Sequence, residues 1–414
     1  MVKDKSIIVY DFGMAVPHAQ RLAREFGKVG YFSPWTSSFP NSNDSIVGEG
    51  FDGVTRLMDF WQEVDKYDMV YVPDTHCGDI VSYLRGKGYK VFGADSKSTT
   101  LELDRYKGRK IQKAVGLPVQ RTEHVVGLSK LRKHLGTVKD RYVKLSWFRG
   151  AIETFKHDDM ESSAPYLDKL AVALGPKQDE AEFIVEESIN GTEIGSDTFV
   201  VDGKFPNLAM FGWEVKDKYY VGKCVTRDKL PKQLKEVDDK MGVFFKKCST
   251  RSMFSTEVKI YKDGKGYLID PTVRMPLPPS YVELELYSNF GEFIYNAAQG
   301  KVIDLKPTAI YGVEVIMGSD YSAENILEVK IPKKCEQWVK LANGCRINNK
   351  YYILPGSPKD HYLSVVGLGK TVKEAVDNAQ SYIDEIDAFQ LQKSFDKQAI
   401  FDKVAEGNKN NIQF

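Results

Sequence analysis

Short apolar runs alternate with amphipathic stretches through the first hundred residues, and this rhythm restricts the fold more than any other property of the chain. Ser6 to Phe12 (SIIVYDF) is a strand-length run stopped by Gly13, and His18 to Phe26 reads as a helix closed by Gly27. A strand at Val29 to Phe32, a helix near Val54 to Val64, a strand at Asp68 to Pro73, a helix at Ile80 to Gly86 and a strand at Tyr89 to Phe92 continue the pattern. Strands separated by helices pair in parallel, so the expectation is a doubly wound α/β sheet. Ligands of such sheets gather beyond the carboxyl ends of the strands. Asp11 closes the first strand, and the loop Asp74-Thr-His-Cys-Gly-Asp79 follows the third. Asp11, Asp74, His76 and Asp79 are therefore candidate substrate contacts. The alternative for the loop is that Asp79 caps the next helix while His76 and Cys77 pack or face water.

A helix over Thr100 to Val115 ends in Gly116-Leu117-Pro118, which places a domain junction near residue 100. For 414 residues two or three domains are expected. They are an N-terminal α/β domain over residues 1–100, an α+β domain over 101–300 and a small mixed C-terminal domain over 301–402. The last carries strands at Tyr311 to Met317, Tyr351 to Leu354 and Tyr362 to Val366, and a helix opened by the capping box of Thr371 and Glu374. Residues 403–414 form a polar tail that is expected to fray.

Lys and Arg number 58 against 57 for Asp and Glu, a net charge of +1, so no global field draws the chain to nucleic acid or a membrane. With 42% apolar and 28% charged residues, disordered and fibrous classes are excluded. No run approaches the roughly 18 apolar residues of a membrane span, and the N-terminus is too weakly apolar for a signal peptide. The five cysteines form no Cys-x-x-Cys pair. A cytoplasmic protein without membrane partner, disulfide framework or structural zinc is expected, as a monomer or a homodimer.

The most informative local feature is Phe254-Ser-Thr-Glu-Val-Lys-Ile-Tyr-Lys-Asp-Gly-Lys-Gly-Tyr-Leu-Ile-Asp270. Asp263-Gly264 between alternating runs signals a two-residue hairpin loop. In that register Val258 faces Ile269, Ile260 faces Tyr267, and Glu257 lies across from Asp270. Two carboxylates about 5 Å apart repel unless a cation or a proton separates them. Hard oxygen ligands on a rigid sheet suit Mg²⁺, with Mn²⁺ as a substitute. The alternative is an exposed face on which Lys259 or Lys262 screens both acids. Asp270, Thr272 and Arg274 follow at i, i+2 and i+4, so an extended chain presents a carboxylate, a hydroxyl and a guanidinium to one polyphosphate.

In motif order the chain resembles the ATP-grasp superfamily, and more closely its phosphoribosylamine–glycine ligase branch (glycinamide ribonucleotide synthetase). The resemblance rests on the basic residue of Leu103-Asp-Arg-Tyr-Lys-Gly-Arg-Lys110, Tyr142-Val-Lys144, the hinge Phe183-Ile-Val-Glu-Glu-Ser-Ile-Asn-Gly-Thr-Glu193, and Glu257 with Asp270-x-Thr272-x-Arg274. Tyr352-Ile-Leu-Pro-Gly356 and Val365 to Ala375 resemble the closing domain of that branch. It implies an ATP-grasp fold with ATP contacts at Arg105, Lys144, Glu186, Glu187, Ile189 and Glu193, Lys107 and Arg109 being alternatives to Arg105. It further implies magnesium ligands at Glu257, Asp270 and Thr272, and Arg274 with Lys144 at the transferred phosphate. The implied activity is an ADP-forming ligation of a small carboxylate to a small amine through an acyl phosphate.

Three departures bear on the substrate. The turn Asp11-Phe-Gly-Met-Ala-Val-Pro-His18 carries a single glycine where the branch has a Gly-rich phosphate turn, the lid reads Ser146-Trp-Phe-Arg-Gly-Ala151, and Asp270-x-Thr272 replaces a Glu-x-Asn metal pair. Two further readings fit them: a catalytically silent ATP-binding relative, or a ligase whose acceptor is a nucleic acid or a protein, held by the aromatics and lysines of Phe211 to Tyr220.

Overall fold

The protein is described by a computed structural model over residues 2–34, 46–147, 154–215, 218–355, 363–410 and 412–414. Phe148 to Ala151 of the expected lid, Lys216 and Asp217 of the aromatic segment, and Gly356 lie outside the described residues.

Strands β1 (Ser6–Tyr10), β2 (Lys28–Phe32), β3 (Val54–Leu57), β4 (Met69–Tyr71) and β5 (Val91–Phe92) form a parallel sheet in the order β3-β2-β1-β4-β5. Successive side chains of a strand point to opposite faces, and β1 serves two cores accordingly. Ile7 and Val9 join the large central core, whereas Ile8 packs with Leu57, Phe60 and Val70. The stretch expected as a helix over Val54 to Val64 divides instead. Gly53 turns the chain at φ +74°, the β-branched Val54 and Thr55 pair with β2, and Asp59 caps a single helical turn over Phe60–Glu63. The first helix runs over Val16–Leu22, earlier than expected, with Pro17 in its first turn.

Strands β6 (Thr122–Val126), β7 (Arg141–Leu145), β8 (Thr154–His157) and β9 (Glu182–Glu187) form an antiparallel sheet ordered β6-β9-β7-β8. Leu128, Leu131 and Leu135 of one helix and Leu167, Leu170 and Leu174 of another pack with Val143, Phe183 and Val185 of this sheet.

The central sheet has eight strands. It contains β10 (Thr192–Val201), β11 (Leu208–Val215), β12 (Tyr219–Thr226), β13 (Arg251–Ile260), β14 (Gly266–Thr272), β15 (Tyr311–Met317), β17 (Val339–Leu341) and β20 (Leu363–Gly369), ordered β14-β13-β10-β11-β12-β15-β20-β17. β12 pairs with β15, so the sheet continues through residue 300, where a change of domain was expected. A small sheet of β16 (Leu327–Lys330), β18 (Gly344–Ile347), β19 (Lys350–Ile353) and β21 (Asp387–Ala388) completes the C-terminal region.

The tail does not fray. A helix spans Lys397–Lys409, capped by Asp396, and Ile400 and Ile412 are buried. The Phe414 ring lies 4.7 Å from that of Trp213. The few apolar residues of this polar segment are spaced to reach the sheet, and they outweigh its composition. Phe211, Trp213, Tyr219 and Tyr220 are all buried, so the aromatic segment considered as a nucleic-acid groove is core instead.

Candidate functional site

The hairpin of β13 and β14 brings Glu257 opposite Asp270, but by a route the sequence did not indicate. Its loop has three residues, Lys262 to Gly264: Gly264 has φ +76°, and the Tyr261 N–H donates to the Lys265 carbonyl. Near the tip Val258 therefore faces Leu268 and Ile260 faces Gly266, not Ile269 and Tyr267 as expected. A bulge beside Glu257 and Val258 then takes up one residue of β14 and restores the Glu257–Asp270 pair. The backbone freed there is used. The Ile269 carbonyl accepts from Lys144 Nζ at 2.6 Å and from Arg109 at 2.7 Å, and the Leu268 carbonyl accepts from Arg109 at 2.8 Å.

Three cations converge on this edge of the sheet. Arg105 begins the helix Arg105–Ala114, its backbone N–H donates to Ser146 Oγ, and its guanidinium pairs with Asp270. Arg109, one turn further, forms a bidentate pair with Glu186 of β9 at 2.6 and 2.8 Å, and Thr122 donates to the same carboxylate. Lys144 is the penultimate residue of β7 and is buried. Burial lowers its pKa, against the pull of Asp270. Asp270 titrates low: burial would raise it, but Arg105 and Lys144 outweigh that. Glu257 titrates high, first because the cleft walls restrict hydration of its otherwise accessible carboxyl, and then because Asp270, Glu193 and Glu214 lie near. Lys259, the alternative screening group, pairs with Glu193 at 3.6 Å.

The remaining expected contacts are distributed as follows. Glu187 N–H donates to the Arg121 carbonyl, and its side chain lies 3.9 Å from Arg141. Ile189 is half-buried at the open end of the hinge after β9. Thr272 sits opposite Ser255, one step along the face from Asp270. Arg274 pairs with Glu102 at 2.9 Å and also donates to the Met275 carbonyl, so in this state the guanidinium and the Asp270 carboxylate have different partners. Lys107 is exposed and pairs with Asp104.

In the N-terminal sheet, Asp11 Oδ2 accepts from Gly13 N–H, Ala15 N–H and Tyr31 Oη, which fixes the turn after β1. The open side of Gly13 is filled by Asn343, whose Oδ1 would lie 1.7 Å from a Cβ there. In the second loop the capping carboxylate is Asp74, which accepts from His76 N–H at 2.7 Å. Asp79, the expected cap, accepts from Ser96 Oγ instead. His76 reaches the Trp147 carbonyl at 3.1 Å, which ties this loop to the start of the lid segment.

Chemically, two facing carboxylates flanked by three cations are an arrangement that can take a divalent ion together with a polyphosphate. The donor set fits magnesium: Glu257 and Asp270 supply hard oxygens, and Glu257 is raised by desolvation first and then by the neighbouring carboxylates of Asp270, Glu193 and Glu214. Among the described residues no group of three or more His, Cys, Asp or Glu side chains is placed to hold a metal ion. Sequence reasoning gave Arg109 only as an alternative and did not single out Asp197, two residues along β10 from Gly195, Tyr220, which donates to Asp197 from β12, or Glu283 on the helix Ser280–Leu286. The signal for Arg109 was its spacing of one helical turn from Arg105. The others had none, because their grouping depends on strand order.

No protein-family profile matches the chain, and no curated protein matches its sequence. Solved structures do. Phosphoribosylamine–glycine ligase of Thermotoga maritima superposes with a TM-score of 0.73 at 16% identity, over 94% of this chain and 98% of that one. L-amino acid ligase of Bacillus licheniformis gives 0.62 at 16%, over 94% and 99%. The biotin carboxylase domain of Hydrogenobacter thermophilus 2-oxoglutarate carboxylase, solved with MgADP, ADP and bicarbonate, gives 0.69 at 11%, over 98% of both chains.

Proposed function

We propose that this chain, which has the ATP-grasp fold, is an ATP-dependent ligase that joins a small carboxylate to a small amine with release of ADP and phosphate. The observation that carries the reading is the Glu257–Asp270 pair on the central sheet, met by Arg105, Arg109 and Lys144 from the helix Arg105–Ala114 and from β7. The similarity in shape to two ligases that make C–N bonds supports the reaction class.

In the proposed reaction a carboxylate oxygen of the substrate attacks the γ-phosphorus of ATP, and ADP leaves. The amine nitrogen then attacks the acyl carbon of the resulting acyl phosphate. The C–O bond to phosphate breaks, an amide forms, and the proton lost by the amine is taken up on phosphate release. Glu257 and Asp270 would hold magnesium, which when bound neutralises charge on the phosphate oxygens. Arg105 and Lys144 leave Asp270 and the Ile269 carbonyl to bind phosphate oxygens, and so hold the γ-phosphate in line with its nucleophile. Glu186 orients Arg109 and, with the hinge up to Ile189 and Glu193, faces the nucleoside. Arg274, held by Glu102, stands by the transferred group. No protein nucleophile is required.

The test is ADP formation from MgATP across a panel of small carboxylates with hydroxylamine as the trapping amine. A carboxylate-dependent hydroxamate is expected. Hydrolysis of ATP at a rate that no carboxylate changes would refute the ligase reading.

A further inference from the structure

Buried acids in this protein fall into two groups. Six have a cation: Glu25 pairs with Arg21, Glu102 with Arg274, Asp104 with Lys107, Glu186 with Arg109, Asp238 with Arg227, and Glu285 with Arg24 and Lys340. Glu314 has Lys340 within electrostatic reach. Three have no cation among the described residues: Asp11, Asp197 and Glu283. An unpaired buried carboxyl is costly, so one isolated case would be a local accident. These three are not dispersed.

Three buried tyrosines join them. Tyr71 is within electrostatic reach of Asp11 and Glu283, Tyr281 of Glu314 and Asp11, and Tyr220 of Asp197 and Glu283. Tyr220 Oη donates to Asp197 at 2.6 Å. Both carboxyl oxygens of Glu283 are buried without a hydrogen-bond partner, as is Glu314 Oε2. The acids and tyrosines thus lie near one another among β1, β4, the central sheet and the helix Ser280–Leu286.

Asp197 adjoins the candidate phosphate site. Asp197 is two residues along β10 from Gly195, which pairs with Glu257, and it lies in line with Ser255 and Thr272. Two residues of a strand span about 6.6 Å, the separation of neighbouring reactants and not of distant sites. The row that begins at Asp270 and Glu257 continues through Gly195, Gly212, Gly222 and Gly312 on four successive strands. At Gly222 a Cβ would come within 2.6 Å of Tyr220 Oη. The missing side chain lets Tyr220 lie across the sheet and reach Asp197.

We infer that Asp197, Glu283 and Tyr220 together hold the ammonium group of the amine substrate, an assignment that rests on the ligase reading. A primary ammonium has three N–H donors, no acceptor and a positive charge. It matches a site that offers Asp197, Glu283 and a tyrosine oxygen with no cation of its own. Burial pushes the Asp197 carboxyl up to about 6, below neutrality, so Asp197 supplies the negative charge, while burial and the nearby Asp197 hold Glu283 well above the ordinary carboxylate range and leave it to act as a neutral acceptor.

The probe is methylammonium chloride, with tetramethylammonium chloride and potassium chloride at equal ionic strength, and the readout is the thermal midpoint of the full chain. Methylammonium is expected to raise the midpoint saturably in the wild type. In Asp197→Asn and Glu283→Gln its apparent Kd should weaken at least tenfold, and tetramethylammonium should have no saturable effect. A response to potassium equal to that of methylammonium would overturn the assignment in favour of a metal cation. So would an absent methylammonium response, or one that both variants retain. The MgATP-induced shift is measured in parallel. Its presence in all three proteins keeps the nucleotide site out of question when the ammonium result fails, and its absence from the wild type strikes the ligase reading itself.

Discussion

Asp197→Asn should stabilise the protein at alkaline pH while it impairs the amine site. The Asp197 carboxyl is moved from 3.8 to about 6, by burial first, with hydrogen bonds from Tyr220 and Ser255 pulling the other way. The groups that face it are Tyr220 on β12, Ser255 on β13 and Glu283 on the helix Ser280–Leu286, none of them a cation. Because the folded pKa is the higher one, the folded state holds its proton longer than the unfolded chain. Stability therefore falls as pH rises between about 4 and 6 and stays reduced above that. About two pH units at 1.36 kcal/mol each set a ceiling of roughly 3 kcal/mol. Asparagine removes the titration, and its Oδ1 can still accept from Tyr220. Urea unfolding at pH 5 and pH 8 should show a variant more stable than the wild type at pH 8, by up to about 3 kcal/mol, with a smaller difference at pH 5. A variant less stable at pH 8, or a difference that pH does not change, would refute the reasoning.

Asp270→Asn should abolish ADP formation with the fold retained but the thermal midpoint lowered, because Arg105 and Lys144 lose the carboxylate they hold ionised, a loss only partly offset by relief of the repulsion from Glu257; ADP release, circular dichroism and thermal melting together check this. Glu285→Gln should cost about 3–5 kcal/mol near neutrality, since it leaves Lys340 buried without its carboxylate. The pKa of Glu285 is about 2, held down by Lys340 and Arg24 against burial, so its contribution is present above the unfolded value near 4.5 and is lost as pH falls through 2. Denaturation of wild type and variant from pH 7 downward should show the two curves converging. Phe414→Ala should redden and quench Trp213 emission and cost on the order of 1–2 kcal/mol, because the ring lies against Trp213, Phe211 and Tyr311.

The parallel N-terminal sheet was legible because β1 and β4 are short apolar runs bounded by turn residues, and nothing distant was needed to recognise them. The facing carboxylates were legible for a less secure reason. A two-residue loop puts Glu257 across from Asp270, and the real loop, one residue longer, would have turned Asp270 away had Ile269 not bulged. Two offsets of one residue cancel, and neither is written in the alternation of side chains. The pairing of Arg109 with Glu186 was hidden because 77 residues separate them. Every residue of the helix SYVELEL is buried, its two glutamates included. Glu285 is neutralised by Lys340 and Arg24, whereas both carboxyl oxygens of Glu283 lack a hydrogen-bond partner. Composition and periodicity cannot separate these cases, because the difference lies in which strands become neighbours. The tail was misjudged for the same reason: Ile400, Ile412 and Phe414 are sparse in sequence but converge on one surface.

The most direct test of acyl phosphate chemistry is isotopic. Carboxylates labelled with ¹⁸O in the carboxyl group are incubated with MgATP, the protein and an amine, and the released phosphate is analysed by mass. Transfer of one labelled oxygen to phosphate for each amide formed is the predicted result, because the C–O bond that breaks leaves a carboxyl oxygen on phosphorus. Unlabelled phosphate accompanied by amide, or ADP formed without any carboxylate requirement, would contradict the account.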